Sequence, residues 1–280
     1  MAIKTYLQLF LIMATIPLIA QAQTSTDNKT ESSYFEYVKS TVVHDAKHIF
    51  GLGLSLVQSP LNYDKQDLHF ALFSGASISA MFLVDPSLKK FALRNKSQLN
   101  DKIFEIDNHF NGRTGNWAAL GLYFGGFIFK EEKVRMTGLR AAETLFIARS
   151  ITNFLKYSFG RRRPYAGKNH MNFKLFRGGK SQYRSFPSGH TTSAFAFASI
   201  MAMSVDNTYW KVGWYGGATM VGFARIYHNV HWLSDTFFAG IISYSVASFV
   251  MNYNNSPKEN NSVNFSISPG PNRITASIRF

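Results

Sequence analysis

The fold of this chain is constrained most by a series of apolar segments with helical periodicity, separated by proline and glycine. Apolar residues that recur every three to four positions place one buried face along a helix. Breakers such as Ser59-Pro60, Asp85-Pro86 and Gly178-Gly179 lie between the segments. The segments predicted to be helical are Tyr34–Leu56, Leu68–Val84, Gln98–His109, Asn116–Phe129, Thr137–Tyr157, Thr191–Val205, Trp210–His228 and Trp232–Tyr253. The pattern therefore predicts an all-α fold, built as a helical bundle.

The C-terminal tail has a different pattern. Val263–Ile267 and Ile274–Phe280 alternate apolar and polar residues, and Ser268-Pro269-Gly270-Pro271 lies between them. Alternation on both sides of a turn sequence is typical of two paired strands. We therefore expect a small β-hairpin at the end of the all-α fold.

The N-terminus resembles an export signal. Lys4 precedes an apolar run from Tyr6 to Ala20, and Ala20-Gln21-Ala22 has the small residues of a cleavage site. The alternative is an uncleaved membrane anchor, which the run of about 15 residues disfavours because a span needs about 20. An export signal predicts a protein in the periplasm or at the periplasmic face of a membrane. The expected divisions are a signal peptide at 1–22, an extension with an amphipathic helix at 23–64, a main helical domain at 65–253 and a tail at 254–280.

The charge of the chain predicts an anionic partner. Its 280 residues include 30 Lys and Arg, and the formal net charge is +14. Such an excess favours phosphate esters, acidic lipid headgroups or nucleic acid. The basic residues are dispersed and no known nucleic-acid module is recognised, so nucleic acid is not an expected partner. No cysteine is available for a disulfide or a thiolate nucleophile.

The helices are borderline in length for crossing a membrane. Uncharged apolar stretches at 68–84, 114–129, 190–204 and 236–251 are about 15 to 17 residues long, at or below the spanning range. The segment 137–157 carries several charges, which disfavours a lipid-facing span. With a cleaved signal, three crossings before Lys156 would also leave that residue inside the cell. A soluble or membrane-peripheral bundle is therefore expected, and a bundle embedded in the membrane is the alternative.

One candidate catalytic pair is His231 and Asp235, within the motif Arg225-x5-His231-x3-Asp235. Residues four apart lie on one face of a helix. A carboxylate bonded to one imidazole nitrogen fixes the tautomer and leaves the other nitrogen free to attack. The spacing is compatible with an ordinary ion pair as well as with an activated histidine nucleophile.

Three cations accompany this pair in order along the chain. Lys156 precedes Arg163-Pro164 by six intervening residues, and Arg225 opens the motif that contains His231. Phosphoryl transfer depends mainly on compensating the charge of the phosphate oxygens, and arginine can bind two of them at once. We expect Lys156, Arg163 and Arg225 to bind phosphate, and we expect Arg161 and Arg162 to be solvated.

The tetrapeptide Pro187-Ser188-Gly189-His190 directly precedes an apolar helix. Unpaired N–H groups at a helix start bind anions. Gly189 lets the backbone approach a phosphate, Ser188 can donate its hydroxyl, and His190 can protonate a leaving oxygen. A serine-capped helix with an incidental histidine is the structural alternative.

Taken together, Lys156-x6-Arg163-Pro164, Pro187-Ser188-Gly189-His190 and Arg225-x5-His231-x3-Asp235 resemble the three-part signature of the type 2 phosphatidic acid phosphatase (PAP2) superfamily, which includes the vanadium haloperoxidases. The resemblance covers about residues 65–253. One departure is Ala224, where the family often has serine.

The resemblance implies a helical bundle and a phosphatase without metal or other cofactor. It implies that His231 becomes phosphorylated, that Asp235 orients it and that His190 is the acid. Phosphate is then bound by Lys156, Arg163, Ser188, Gly189 and Arg225. The implied substrate is a phosphorylated molecule, lipid-linked in the preferred interpretation: phosphatidate, phosphatidylglycerophosphate, a prenyl diphosphate or a lipid A type.

Three other functions are compatible with parts of the pattern. They are a non-specific acid phosphatase on soluble esters, a vanadium haloperoxidase, and a non-enzymatic protein that binds phosphorylated headgroups. The last needs the cations but neither histidine, so the intact set disfavours it. His228 with His231, and His44 with His48, have spacings seen in metal sites, but without further ligands we expect structural or solvated roles.

Overall fold

The computed structural model describes residues 28–59, 64–109, 112–167, 169–255, 264–270 and 273–279. The predicted signal peptide at 1–22 lies outside these residues. By contact density the chain divides into two compact units at Ser55 and Leu56. The helices are α1 Asn28–Gln58, α2 Lys65–Arg94, α3 Gln98–Phe104, α4 Ile106–His109, α5 Gly112–Ile128, α6 Glu132–Phe159, α7 Gly189–Ser204, α8 Thr208–Tyr227 and α9 Leu233–Asn255; the strands are β1 Asn264–Gly270 and β2 Arg273–Arg279.

The second unit is the predicted helical bundle, with α7 packed against α6, α8 and α9. Alanines on α7 are buried, and their small side chains let neighbouring helices approach closely. The buried Thr192 hydroxyl lies 2.9 Å from that of Thr152 on α6, and the Thr192 carbonyl accepts from Ser243 of α9 at 2.9 Å. The all-α prediction is therefore confirmed.

The predicted tail hairpin is present in the backbone. β1 and β2 pair antiparallel, with Asn264 opposite Arg279 and Gly270 opposite Arg273. β1 continues through Ser268, Pro269 and Gly270, which the sequence pattern placed between the two strands.

The helix α2 differs from its predicted extent. The Asp85-Pro86 step was expected to end it, yet it continues through Pro86 to Arg94. Proline inside a helix removes one backbone hydrogen bond. Tertiary contacts on both sides of Pro86 offset this loss, because Asp85 is bonded to Ser234 and Lys89 donates to the carbonyl of Pro164 at 2.7 Å.

The length argument against membrane spans is wrong for two helices. In the described part of the chain, Lys65–Arg94 and Leu233–Tyr253 are long and apolar enough to cross a membrane, judged by length and composition. The apolar runs recognised in the sequence are shorter than the helices that contain them, since polar residues extend each helix at its ends.

Candidate active site

The three sequence motifs meet at one end of the bundle, where α6 and α8 end and α7 and α9 begin. Lys156 lies in the last turn of α6 and Arg225 in the last turn of α8. Ser188 caps α7, and Asp235 lies in the first turn of α9. The backbone N–H of Ser188 donates to the carbonyl of Asp235 at 3.0 Å, which joins the second motif to the third.

A left-handed glycine turns the chain into the site after α6. Gly160 has φ +55°, and a side chain there would collide with the carbonyl of Lys174. Glycine adopts this conformation without the steric penalty that other residues incur. The chain therefore leaves α6 abruptly and places Arg161 and Arg163 beside the ends of the other helices.

The amine of Lys156 connects α6 to the loop before α7. It donates to the carbonyl of Arg184 at 2.9 Å and to that of Pro187, and the residue is buried. The pKa of Lys156 is lowered to about 7, chiefly by burial; Asp235 raises it, and neighbouring arginines contribute to lowering it. A bound phosphate dianion would favour the protonated amine.

The two predicted arginines are fixed by different partners. Arg163 donates through Nε to the carbonyl of Ser181 at 3.1 Å and through a terminal nitrogen to that of Val230 at 3.4 Å. Arg225 forms an ion pair with the buried carboxylate of Asp107. Both guanidinium groups retain further N–H donors, because a guanidinium has five.

The start of α7 has the features expected of an anion site. The Ser188 oxygen accepts from the Thr191 N–H at 3.4 Å and from the Thr191 hydroxyl at 2.8 Å, so its own proton is available for donation. A Cβ at Gly189 would lie 3.6 Å from Cε of Lys156. The backbone here is therefore directly next to one predicted phosphate ligand.

His190 is the second residue of α7 and is surrounded by charge. The pKa of His190 is lowered to about 4, chiefly by burial and by the positive charge of Arg225; Lys156 and Arg163 contribute to lowering it, and Asp107 raises it. The imidazole is therefore neutral at pH 7 unless an anion comes close. A bound phosphate would favour the protonated form that a general acid needs.

His231 is almost completely buried in the loop between α8 and α9. Its Nδ1 lies 3.5 Å from Oδ2 of Asp235, longer than an ordinary hydrogen bond. Such contacts are often long before substrate binds. Burial holds the pKa of His231 well below its usual value, with Asp235 opposing and Lys156 contributing. The neutral ring presents Nδ1 to the carboxylate, and its other nitrogen is the candidate nucleophile.

The prediction that Arg161 is a solvated charge is wrong. Its side chain is completely buried and bonds Asp235 at 2.5 Å and Asp85 of α2 at 2.7 Å. Ser185 donates to the other oxygen of Asp235 at 2.5 Å. A signal for this network was available in the sequence: Asp85 directly follows the apolar stretch 68–84, which lacks acidic and basic residues apart from one histidine, and a buried charge requires a partner.

Two further residues near the site were not predicted as partners of the motifs. Asp107 of α4 forms the ion pair with Arg225 noted above. His228 is hydrogen-bonded to the carbonyl of Phe104 at 3.1 Å and lies 3.6 Å from Asp107. These contacts agree with the structural role expected for His228.

Residues 137–258 match the family model described as the PAP2 superfamily. The lipid A 1-phosphatase of Porphyromonas gingivalis is 24% identical over 237 residues, which are 83% of this chain and 46% of that protein. The chain thus spans about half the length of this curated relative.

Two solved structures are also similar. The LpxE structure from Aquifex aeolicus has 24% identity and a TM-score of 0.45, over 61% of this chain and 96% of that one. The structure of a transmembrane PAP2-type phosphatidylglycerolphosphate phosphatase from Bacillus subtilis has 19% identity and a TM-score of 0.49, over 67% of this chain and 93% of that one.

Proposed function

We propose that the chain, whose residues 137–258 match the PAP2 superfamily model, is a phosphatase of that superfamily that hydrolyses phosphate monoesters or diphosphates through a phosphohistidine. One observation carries this proposal: His231, backed by the buried Asp235, lies close to the predicted cations. Its backbone N–H donates to the carbonyl of Arg225 at 3.3 Å, Arg163 donates to the carbonyl of the preceding Val230 at 3.4 Å, and the charge of Lys156 lowers the pKa of His231. A binding protein would need these cations but not the histidine–carboxylate pair.

In the first step, the nitrogen of His231 that faces away from Asp235 attacks phosphorus. The N–P bond forms as the P–O bond to the leaving group breaks, and His190 donates its proton to the departing oxygen. The cations and the N–H groups at the start of α7 stabilise the negative charge on the equatorial oxygens. Asp235 stabilises the positive charge that develops on His231.

In the second step, water attacks the phosphohistidine. His190, now neutral, accepts a proton from this water, the N–P bond breaks, and phosphate leaves with His231 restored. The same residues thus serve both halves of the reaction, and this chemistry requires no metal or other cofactor.

The test is His231→Ala in the full chain, assayed on a soluble phosphate ester. We expect turnover to fall to the background level while the helical circular dichroism is retained. His44→Ala is the matched control, since His44 lies on α1 with 55% of its side chain exposed. Substantial turnover by folded His231→Ala would refute the proposal.

A lipid-linked substrate is favoured by an apolar groove beside the site. The groove has a volume of about 560 Å³ and lies among α2, α7, α8 and α9. Thr191, Ile226 and Thr236 line it, and each directly follows a predicted site residue along the chain. A phosphate held at the site therefore leaves its apolar chain next to this groove, and the similarity to a lipid A 1-phosphatase favours the same substrate class.

The outer surface of the bundle favours association with a membrane. Leu83 on α2 is 82% exposed, and Phe73 on α2 and Phe146 on α6 are more than 70% exposed. Exposed apolar surface of this kind marks interaction sites, including contacts with lipid. We propose a membrane-associated enzyme of the periplasm or the periplasmic face, whose phosphorylated lipid substrate reaches the site from the bilayer.

A further inference from the structure

Arg161 uses its complete set of hydrogen-bond donors inside the protein. Nε and one terminal nitrogen donate to the carbonyl of His170 at 2.9 and 2.7 Å. The terminal nitrogens also donate to Asp85 at 2.7 Å, to Ser234 at 2.7 Å and to Asp235 at 2.5 Å. These five bonds account for all five N–H groups of a guanidinium. No donor of Arg161 is therefore left for the substrate.

The contact with Arg161 fixes the orientation of Asp235. Oδ1 accepts from Arg161, while Oδ2 accepts from the hydroxyl of Ser185 at 2.5 Å and the backbone N–H of Trp232 at 2.8 Å. A carboxylate held at both oxygens cannot rotate about its terminal bond. Oδ2 is thereby kept 3.5 Å from Nδ1 of His231.

Asp85 preserves the negative charge that His231 faces. Arg161 alone would neutralise Asp235, but Arg161 with two carboxylates carries one net negative charge. The rings of Phe82 and Trp232 lie 4.6 and 5.5 Å from the guanidinium carbon, and with the complete burial of Arg161 they keep water out. Solvent should therefore screen little of the electrostatic interaction between His231 and the net negative charge of Arg161, Asp85 and Asp235.

We propose that Arg161 is a positioning residue for the nucleophile, acting through Asp235 without touching phosphate. The inference rests on the proposed phosphatase function. It predicts that Arg161 affects the rate of phosphoryl transfer and leaves phosphate binding unchanged. Lysine is a poor replacement, because its ammonium has three N–H donors on one atom, whereas Arg161 uses five donors spread over three nitrogens.

The experiment compares Arg161→Lys with Arg162→Lys, the same substitution at the next position, in the full chain. The measurements are kcat and KM for a soluble phosphate ester and inhibition by inorganic phosphate. We expect Arg161→Lys to lower kcat about 10- to 100-fold, the effect of a small misplacement of a reacting group. KM and the inhibition constant of phosphate should stay within about threefold of the wild type, since ground-state binding is untouched. Arg162→Lys should behave as the wild type.

Ser185→Ala provides a second measurement that does not disturb Arg161. It removes one donor to Asp235 with little change in volume, and we expect kcat to fall about tenfold at unchanged KM. An unchanged kcat in both Arg161→Lys and Ser185→Ala would overturn the inference. A parallel loss of kcat and phosphate inhibition in both variants would also overturn it, because that pattern belongs to a structural role.

The proposed function itself is judged by separate outcomes. If the wild type has no phosphatase activity, or if His231→Ala retains it, the proposed function fails. If His231→Ala is inactive while Arg161→Lys and Ser185→Ala turn over at the wild-type rate, only the role of Arg161 fails.

Discussion

A leucine in place of Gly240 should separate lipid from soluble substrates. Gly240 lines the groove beside the site, and a Cβ there would lie 3.7 Å from the ring of Phe195, an ordinary contact. The four side-chain carbons of leucine would extend into space that an acyl chain would occupy. Loss of contact with three methylene groups costs about 2.4 kcal/mol at about 0.8 kcal/mol each, or about 50-fold in kcat/KM.

The assay compares a detergent-solubilised long-chain phosphate lipid with a short soluble ester. Gly240→Leu should lower kcat/KM for the lipid about 50-fold, because the acyl chain loses the contact of three methylene groups. The value of kcat/KM for the ester should stay within about twofold of the wild type. The control is Gly217→Leu, which faces a different groove of about 500 Å³ among α5, α7 and α8 and has open space around its Cβ position. Equal effects on both substrates in Gly240→Leu, or a loss for the lipid as large in Gly217→Leu, would contradict the placement of the acyl chain.

Two other predictions concern the acid and the location. The carboxylate of Asp107 raises the pKa of His190 and also pairs with Arg225, whose charge lowers that pKa. Asp107→Asn should therefore lower the pKa of His190. The alkaline limb of the profile of kcat/KM against pH should then move to lower pH. The control is Asp101→Asn, whose carboxylate accepts from Tyr227 at 2.6 Å, and an upward shift in Asp107→Asn would contradict the assignment of His190 as the acid. On fractionation, we expect the protein in the envelope and released by detergent. Recovery in the soluble periplasm would refute association through the exposed apolar surface of α2 and α6.

The convergence of the motifs could be predicted from the sequence because each lies at a helix end. A breaker followed by a capping residue marks where α7 begins, and antiparallel neighbours in a bundle bring alternate ends together. Ser188 and Asp235 accordingly meet through a backbone hydrogen bond. Helix periodicity and capping are local properties, so one sequence is enough to detect them.

The role of Arg161 could not be predicted in the same way because its partners are distant in sequence. Asp85 is 76 residues away and belongs to a helix that local rules end at Pro86. An Arg-Arg-Arg triplet resembles a solvated surface, and only the tertiary structure distinguishes the buried Arg161 from Arg162 beside it. The isolated carboxylate of Asp85 indicates that a buried partner exists, but not which one.

The charges at this end of the bundle form two groups with opposite net charge. Arg161, Asp85 and Asp235 together carry one negative charge behind His231. The other group is formed by Lys156, Arg163 and Arg225 with the carboxylate of Asp107, and it carries two positive charges when Lys156 is protonated. In the proposed mechanism, a phosphate monoester dianion complements the positive group, and the positive charge that would develop on His231 during attack complements the negative group. If the reaction follows this mechanism, the charge of the substrate and the charge that develops on His231 each meet a fixed opposite charge, so little reorganisation is needed at the moment of phosphoryl transfer.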